Sequence, residues 1–407
     1  MLGPRATRTG VGGGTGPHPG PGAGTGTRAD SGGDTGPQAG REQGPHTAGE
    51  AALPVDAVLA EYLQARLREA RRVDAVFAEE VASRVAAFVL HGGKRLRTAF
   101  VRCGWLAAGG TGDPGAPLRI GAALELLQAC ALVHDDVMDE SPVRRGAPAV
   151  HADFAHTHRA AHMRGSAASY SATAAVLAGD LALAWADDLL TETALDSPYG
   201  EELHKEWQAM RCEMVAGQYL DMRAQATGSA DPAQARNIAT LKSALYTVER
   251  PLALGASLAG ADARALDQLR SAGRCAGLAF QLRDDLLGAF GDPAVTGKPA
   301  AEDLRARKLT YLLAVALRLA AESGDTEALA VLGPEDAASG GGTVERMRAA
   351  LERTGARAVV EQEIAGLAES SLRHFAAVGA DARARREFAA LVARAVGTAR
   401  VRNGEGE

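Results

Sequence analysis

An all-α bundle is the fold class this sequence predicts, on three observations. Aromatic residues are only 4% of the chain, alanine recurs throughout, and apolar positions repeat at spacings of three and four rather than two. With 407 residues, 46% of them hydrophobic, the chain can bury a large core in one big domain or two ordinary ones.

Along the chain, residues 1–50 are dominated by Gly, Thr, Pro and Ala, with almost no large apolar side chain. Such a stretch cannot offset the entropy of ordering, so a disordered tail is expected. Helical periodicity starts near Pro54, in VDAVLAEYLQARLREARRV, and a single helical domain is expected over 51–401, followed by a disordered end at 402–407. GGKRLR at Gly92 to Arg97 reads as a helix start, and residues 121–139 read as one apolar helix. The segment around Gln281 to Gly288 reads as another. Gly333 to Thr343, with three successive glycines, predicts a surface loop between late helices. Nothing repeats at a fixed period, which argues against a solenoid.

Composition also excludes function classes. A formal charge of −6 gives no reason to expect nucleic acid as a partner. Cys103, Cys130, Cys212 and Cys275 contain no CxxC pair, which speaks against a disulfide framework or a structural zinc site. With no run of about 18 apolar residues and no apolar core of a signal peptide, a cytoplasmic protein without a transmembrane segment is expected.

Two acidic clusters break the apolar helices: His134-Asp135-Asp136-Val137-Met138-Asp139 and Gln281-Leu282-Arg283-Asp284-Asp285. Adjacent carboxylates are a poor choice in such surroundings unless a cation joins them. At about 100° per residue, Asp135 and Asp139 lie one above the other with Asp136 beside them. Magnesium takes oxygen ligands and commonly bridges one or two carboxylates to substrate phosphates, so these clusters point to a diphosphate site. Basic groups surround them. Lys94 and Arg97, three apart, can face one anion; Arg144 and Arg145 follow the first acidic cluster; Lys242, Lys298 and Lys308 flank the second. Arginine offers planar bidentate donors to phosphate and lysine a mobile point charge.

The series GGKRLR, LVHDDVMDESPVRRG, AGD at Ala178 to Asp180, GQYLDM, LKSALYT, FQLRDDLLGAFGD and GKPAAEDLRARKLTYL, in that order, resembles the trans-isoprenyl diphosphate synthases, the polyprenyl synthetase family. It is most similar to the bacterial members that make geranylgeranyl diphosphate. The likeness covers roughly residues 55–320. It implies a bundle of antiparallel helices around a deep central cavity, a homodimer, and a Mg²⁺-dependent prenyltransferase that condenses isopentenyl diphosphate with allylic diphosphates. Carried across, Asp135 and Asp139 bind two Mg²⁺ ions and Asp284 a third, with Mn²⁺ an alternative metal, and Asp136 and Asp285 support them. Arg144, Lys242, Lys298 and Lys308, with Gln281 and the Ser243 hydroxyl, bind the allylic diphosphate. Lys94, Arg97 and Arg145 bind the diphosphate of isopentenyl diphosphate, with Gln128 where the family often has His. Gly288 stands where many members have Asp, and Thr98 where many have Pro.

The resemblance also bears on product length, because bulky aromatics one turn before the first Asp stop growth at ten or fifteen carbons in the family. Cys130 and Ala131 are small, which favours geranylgeranyl diphosphate, with Leu127, Leu124 and Ala123 a deeper floor. A farnesyl or longer product stays open, as do a terpene cyclase and a noncatalytic subunit of a heteromeric synthase. His151, His156, His158 and His162 are expected at the surface or in loops, and Asp187-Asp188 as an exposed helix face without basic neighbours. GQYLDM, with Gln218 and Asp221, reads equally as cavity mouth or helix packing.

Overall fold

The computed structural model describes residues 52–291, 304, 308–333 and 343–397, all within one compact unit, Ala48–Glu407. The expected tails at 1–50 and 402–407, the glycine-rich segment 334–342 and Lys298 lie outside the described residues.

The described chain is helical almost throughout. It runs α1 (Ala52–Val73), α2 (Ala75–Phe77), a π-helical turn (Ala78–Ala82), α3 (Ser83–Leu90), α4 (Leu96–Ala107), α5 (Gly115–Met138), α6 (Val150–Ala160), α7 (Ala167–Leu195) and α8 (Gly200–Thr227). There follow α9 (Pro232–Ala239), a second π-helical segment (Thr240–Glu249), α10 (Arg250–Leu258), α11 (Ala263–Phe290), α12 (Tyr311–Ser323), α13 (Thr326–Leu332), α14 (Thr343–Arg353), α15 (Ala356–Ala376) and α16 (Ala382–Ala395). Local chemistry sets several starts. Asp231 accepts from the Ala233 N–H just ahead of Pro232, and Asp262, Thr310 and Asp381 accept from the third residue beyond each of them.

The second π-helical segment has a local cause. Pro251 stands inside a helical run continuous from Pro232 to Leu258, where it lacks an N–H and its ring crowds the carbonyl four residues back. The preceding turn widens, and the Arg250 N–H bonds to the Leu245 carbonyl. π-Helical turns are frequent at functional sites, and this one carries Lys242, Ser243 and Tyr246.

A two-stranded hairpin that the sequence reading did not foresee follows α5, with Val143–Arg144 paired to Ala147–Pro148. Its turn residues, Arg145 and Gly146, both have positive φ, 54° and 76°, the combination a tight primed turn needs. The hairpin sends consecutive arginines to different targets. Arg144 bonds back to Asp136, while Arg145 donates to the Gly92 carbonyl in the loop before α4.

One core cluster gathers Ile120, Leu124, Leu126 and Leu127 of α5 with Trp185 and Leu189 of α7 and Trp207 of α8. A second joins α11 to α12 and α15 through Leu278, Leu282, Leu312 and Ile364. In a third, Phe375 stacks on Phe388 with ring centroids 4.0 Å apart. By length and composition alone, α5 and α7 are each apolar enough to cross a membrane. Neither is an unbroken apolar run, since Arg119, Glu125 and Gln128 interrupt α5 and Ser171, Thr173 and Asp180 interrupt α7; small Ala and Gly residues sustain the mean hydropathy. The two differ in burial, with 67% of the apolar window buried in α5 and 28% in α7.

Candidate active site

The site is built on the C-terminal turn of α5, where Asp135 and Asp139 are stacked and the Asp139 N–H bonds to the Asp135 carbonyl at 2.8 Å. Asp136 is fully buried. The Arg144 Nε donates to Asp136 Oδ1 at 2.8 Å, and its Nη2 reaches Asp135 Oδ2 at 3.4 Å. Burial pushes the Asp136 carboxyl above the usual carboxylate range in spite of this arginine. Its second oxygen, Oδ2, is buried without a hydrogen-bond partner.

Two lysines arrive from distant sequence. Lys242 Nζ donates to Asp221 Oδ2 at 2.6 Å and to Asp135 Oδ1 at 3.3 Å, and Lys308 pairs with Asp139. Burial opposes the charge of each ammonium, but Asp135 and Asp221 outweigh it at Lys242 and Asp139 outweighs it at Lys308, so both stay above the ordinary lysine value. Asp221 of GQYLDM is thus paired with Lys242 beside the carboxylates. Gly217 in the same motif lets α8 approach this closely, since a Cβ there would lie 2.3 Å from the Lys242 backbone nitrogen.

A second cluster lies along α5 toward its N-terminus. The Tyr246 hydroxyl donates to Gln128 Oε1. Arg97 lies over the Tyr246 ring, its Cζ 4.1 Å from the centroid, and donates to Thr247 Oγ1 at 3.0 Å. Lys94 is exposed in the loop, before α4 rather than on it. Between them, Arg95 is buried in a left-handed conformation, φ 46°. It bonds to Glu125 of α5 at 2.8 Å, to Asp56 of α1 at 3.0 Å and to the Val89 carbonyl at 3.0 Å. The middle residue of GGKRLR thus anchors the loop that its neighbours use, a role invisible until helices 30 residues apart in sequence meet.

On α11, Asp285 is buried and Asp284 half-buried. The Gln281 side-chain amide donates to Asp285 Oδ1 at 2.8 Å, so Gln281 here orients a carboxylate. The π-helical segment packs along α11 and also reaches α5 through Lys242 and Tyr246. Ser243 is half-buried on it.

Two expectations are corrected. Asp187 has a basic neighbour, Arg211, and accepts from Trp207 Nε1 at 2.7 Å; its partners sit a helix away and could not be read locally. His158 is buried against Tyr170, its Nε2 3.2 Å from the Arg164 carbonyl oxygen. Cys130 places its sulfur 3.7 Å from His134 Nδ1, and His134 in turn reaches the Val176 carbonyl of α7 at 3.1 Å. The AGD motif seats that imidazole, since a Cβ on Gly179 would fall 2.1 Å from its Nε2. Burial raises the Cys130 thiol to about 12. Ala131, four residues before Asp135, shares the edge of the carboxylates.

The donor set fits magnesium. Among the described residues no three His, Cys, Asp or Glu side chains form a ready cage. Asp135 and Asp139 offer hard oxygens at helical spacing, and Asp136 Oδ2 is unsatisfied, as expected for an ion that shares few carboxylates and completes its shell with phosphate and water.

The polyprenyl synthetase family model matches residues 79–349, more than half of the chain. The chain belongs to that family. This polyprenyl synthetase is 33% identical over 270 residues to the geranylgeranyl diphosphate synthase of Mycobacterium tuberculosis, covering 66% of this chain and 71% of that protein. It is 31% identical to the geranylfarnesyl diphosphate synthase of Aeropyrum pernix, covering 60% and 71%. A crystal structure of geranylgeranyl pyrophosphate synthase from Corynebacterium glutamicum, complexed with isoprenyl diphosphate and magnesium, superposes with a TM-score of 0.80 at 37% identity, covering 84% of this chain and 97% of that one. The family membership and this likeness make the chain a prenyl-transferring enzyme with the all-helical isoprenoid synthase fold.

Proposed function

We propose that this synthetase condenses isopentenyl diphosphate with allylic diphosphates in a magnesium-dependent reaction and releases geranylgeranyl diphosphate as its main product. The observation that carries the chemistry is the convergence of Lys242, Lys308 and Arg144 on Asp135, Asp136 and Asp139. In this reading the allylic carbon–oxygen bond breaks with its electron pair leaving on the diphosphate. The alkene of isopentenyl diphosphate then attacks the allylic carbon, and a proton is lost to restore an alkene. Bound magnesium, three ions in our reading, supplies positive charge to the leaving diphosphate, with Asp135, Asp139 and Asp284 as its ligands and Asp136 and Asp285 behind them.

The chain's own groups do the rest. Lys242 and Lys308, with Lys298 and Ser243, bind the allylic diphosphate, and as point charges they can turn from carboxylate to phosphate without breaking a planar fork. Arg97, Lys94, Arg145 and Gln128 bind the second diphosphate. Cations preorganised around a leaving group in a water-poor site are the main source of acceleration in such chemistry.

For product length, Ala131 on the carboxylate edge leaves room for a tail, and Leu127 and Leu124, fully buried below it, supply a floor. Cys130 points to His134 instead, so Ala131 is the residue to test. Incubation with each allylic primer, followed by dephosphorylation and separation of the alcohols, is expected to give a twenty-carbon product. Ala131→Phe is expected to shorten it, and Cys130→Phe to shift it less. A wild-type product stopping at fifteen carbons sinks the assignment, and no elongation at all sinks the synthase reading.

We further propose a homodimer. The outward faces of α7 and α8 expose Val176, Leu177, Val215 and Tyr219, the last two at 64%, and a second copy of this chain would cover an apolar helix that the fold itself leaves open. Sedimentation of the full chain tests this, and a monomer at micromolar concentration contradicts it. A cytoplasmic location is proposed on the four free cysteines.

A further inference from the structure

We infer that Tyr246 is a positioning residue for the isopentenyl diphosphate subsite, its hydroxyl fixing which end of the Gln128 amide meets the ligand and its ring fixing the plane of Arg97. The inference rests on the subsite reading above, in which Gln128 and Arg97 contact that diphosphate.

A glutamine amide has an acceptor end and a donor end, and a diphosphate can use only the donor. Tyr246 is buried, with 4% of its surface exposed, and its O–H donates to Gln128 Oε1. The reversed amide would leave that phenol proton buried without its acceptor, which is costly. With Oε1 held by the phenol, the Nε2 hydrogens are turned away from Tyr246 and are free to donate to an anion. A position that carries imidazole in much of the family is thereby converted into an oriented neutral donor.

The ring acts on the second ligand. Arg97 Cζ stands over it, 4.1 Å from the centroid, Thr247 takes one Nη2 hydrogen at 3.0 Å, and Arg97 Nε is buried with no hydrogen-bond partner in the protein. One face and one edge of the guanidinium are committed to the π-helical segment, and a donor is left over. Cation–π contact of this kind holds a charge in place without neutralising it. Lys242, one turn earlier on the same segment, serves the carboxylates of the other subsite, so a single widened turn sets both diphosphate sites.

The test uses Tyr246→Phe, Gln128→Ala and the double variant in the full-length protein, with KM measured separately for isopentenyl diphosphate and for the allylic substrate, and thermal melting as a fold check. Tyr246→Phe is expected to raise KM for isopentenyl diphosphate about fivefold, with kcat and the allylic KM within about twofold. In the Gln128→Ala background the same change is expected to add nothing, because the hydroxyl acts through that amide. Tyr246→Leu, which also removes the ring, is expected to raise that KM further. If Gln128→Ala raises KM and Tyr246→Phe does not, or if the two effects simply multiply, the inference is overturned and the subsite stands. If Gln128→Ala itself leaves KM unchanged, the subsite assignment fails and takes the inference with it. Equal loss in both KM values with a lowered melting temperature means a packing role only and also overturns it.

Discussion

Two charge networks in this molecule, each centred on buried carboxylates, are built from the same kinds of group and finished differently. In the first, on α8, the second π-helical segment, α10 and α11, Arg250 bonds to Glu206 at 2.6 Å and to Glu213 at 2.8 Å, and Arg270 takes the other oxygen of Glu206. Arg274 closes a fork on the fully buried Glu249 at 2.8 and 3.0 Å. Both oxygens of Glu206, Glu213 and Glu249 are used. The second network joins Asp135, Asp136, Asp139 and Asp221 to Lys242, Lys308 and Arg144. There, two of the three cations are lysines, and Asp136 keeps a buried oxygen with no partner. In the first network every carboxylate oxygen is taken and the one buried atom left over is a donor, Arg270 Nε; arginine forks of this kind fix helices against one another. An incomplete set held by point charges can exchange partners, which is what binding and releasing a diphosphate requires.

The sharpest way to break that comparison is to remove a carboxylate from each. Asp135→Asn is expected to lower kcat by roughly a thousandfold, since it removes a proposed metal ligand, while the melting temperature stays near wild type. Glu206→Ala should do the reverse. Arg250 keeps Glu213 and Arg270 keeps Asp267, so the loss of their shared carboxylate is expected to cost about 1.5–3 kcal/mol of stability in denaturant titrations, with kcat of the folded fraction unchanged. If Glu206→Ala impairs turnover as much as stability, the two networks are not separable.

A charge-preserving swap gives a smaller, more diagnostic effect. Lys242→Arg keeps the cation but brings a planar fork able to lock onto Asp135 and Asp221, and kcat is expected to fall about tenfold. Retention of full activity would mean that mobility of the cation does not matter.

The smallest effect lies in alkaline solution, where neutral buried groups can be compared with both networks. Burial raises the Cys103 and Cys130 thiols above their ordinary value of 9.0, and the Tyr62 and Tyr246 phenols above 10.0. The folded protein keeps protons that the unfolded chain gives up, so their contribution is complete below about pH 9 and is lost as pH rises, at about 1.4 kcal/mol per pH unit per group. Cys103→Ala with Cys130→Ala is expected to delay the onset to about pH 10, where the phenols of the unfolded chain begin to titrate. An unchanged onset in equilibrium unfolding would mean that the two thiols contribute nothing to it.

The sequence by itself determined the all-helical class, the stacking of Asp135 under Asp139 and the family. Each depends on local spacing: a 3.6-residue period decides what shares a face, and motif order survives without coordinates. Tertiary structure alone decided the partners. Lys242 meets Asp135 across 107 residues and Tyr246 meets Gln128 across 118, distances over which no pattern in one chain reports contact. The same limit explains the misses at Asp187 and His158, whose environments come from elements that pack around them. It also explains why Cys130 and Ala131, adjacent and equally small on paper, separate: a step of about 100° sends one thiol toward His134 and α7 and leaves its neighbour on the edge of the carboxylates.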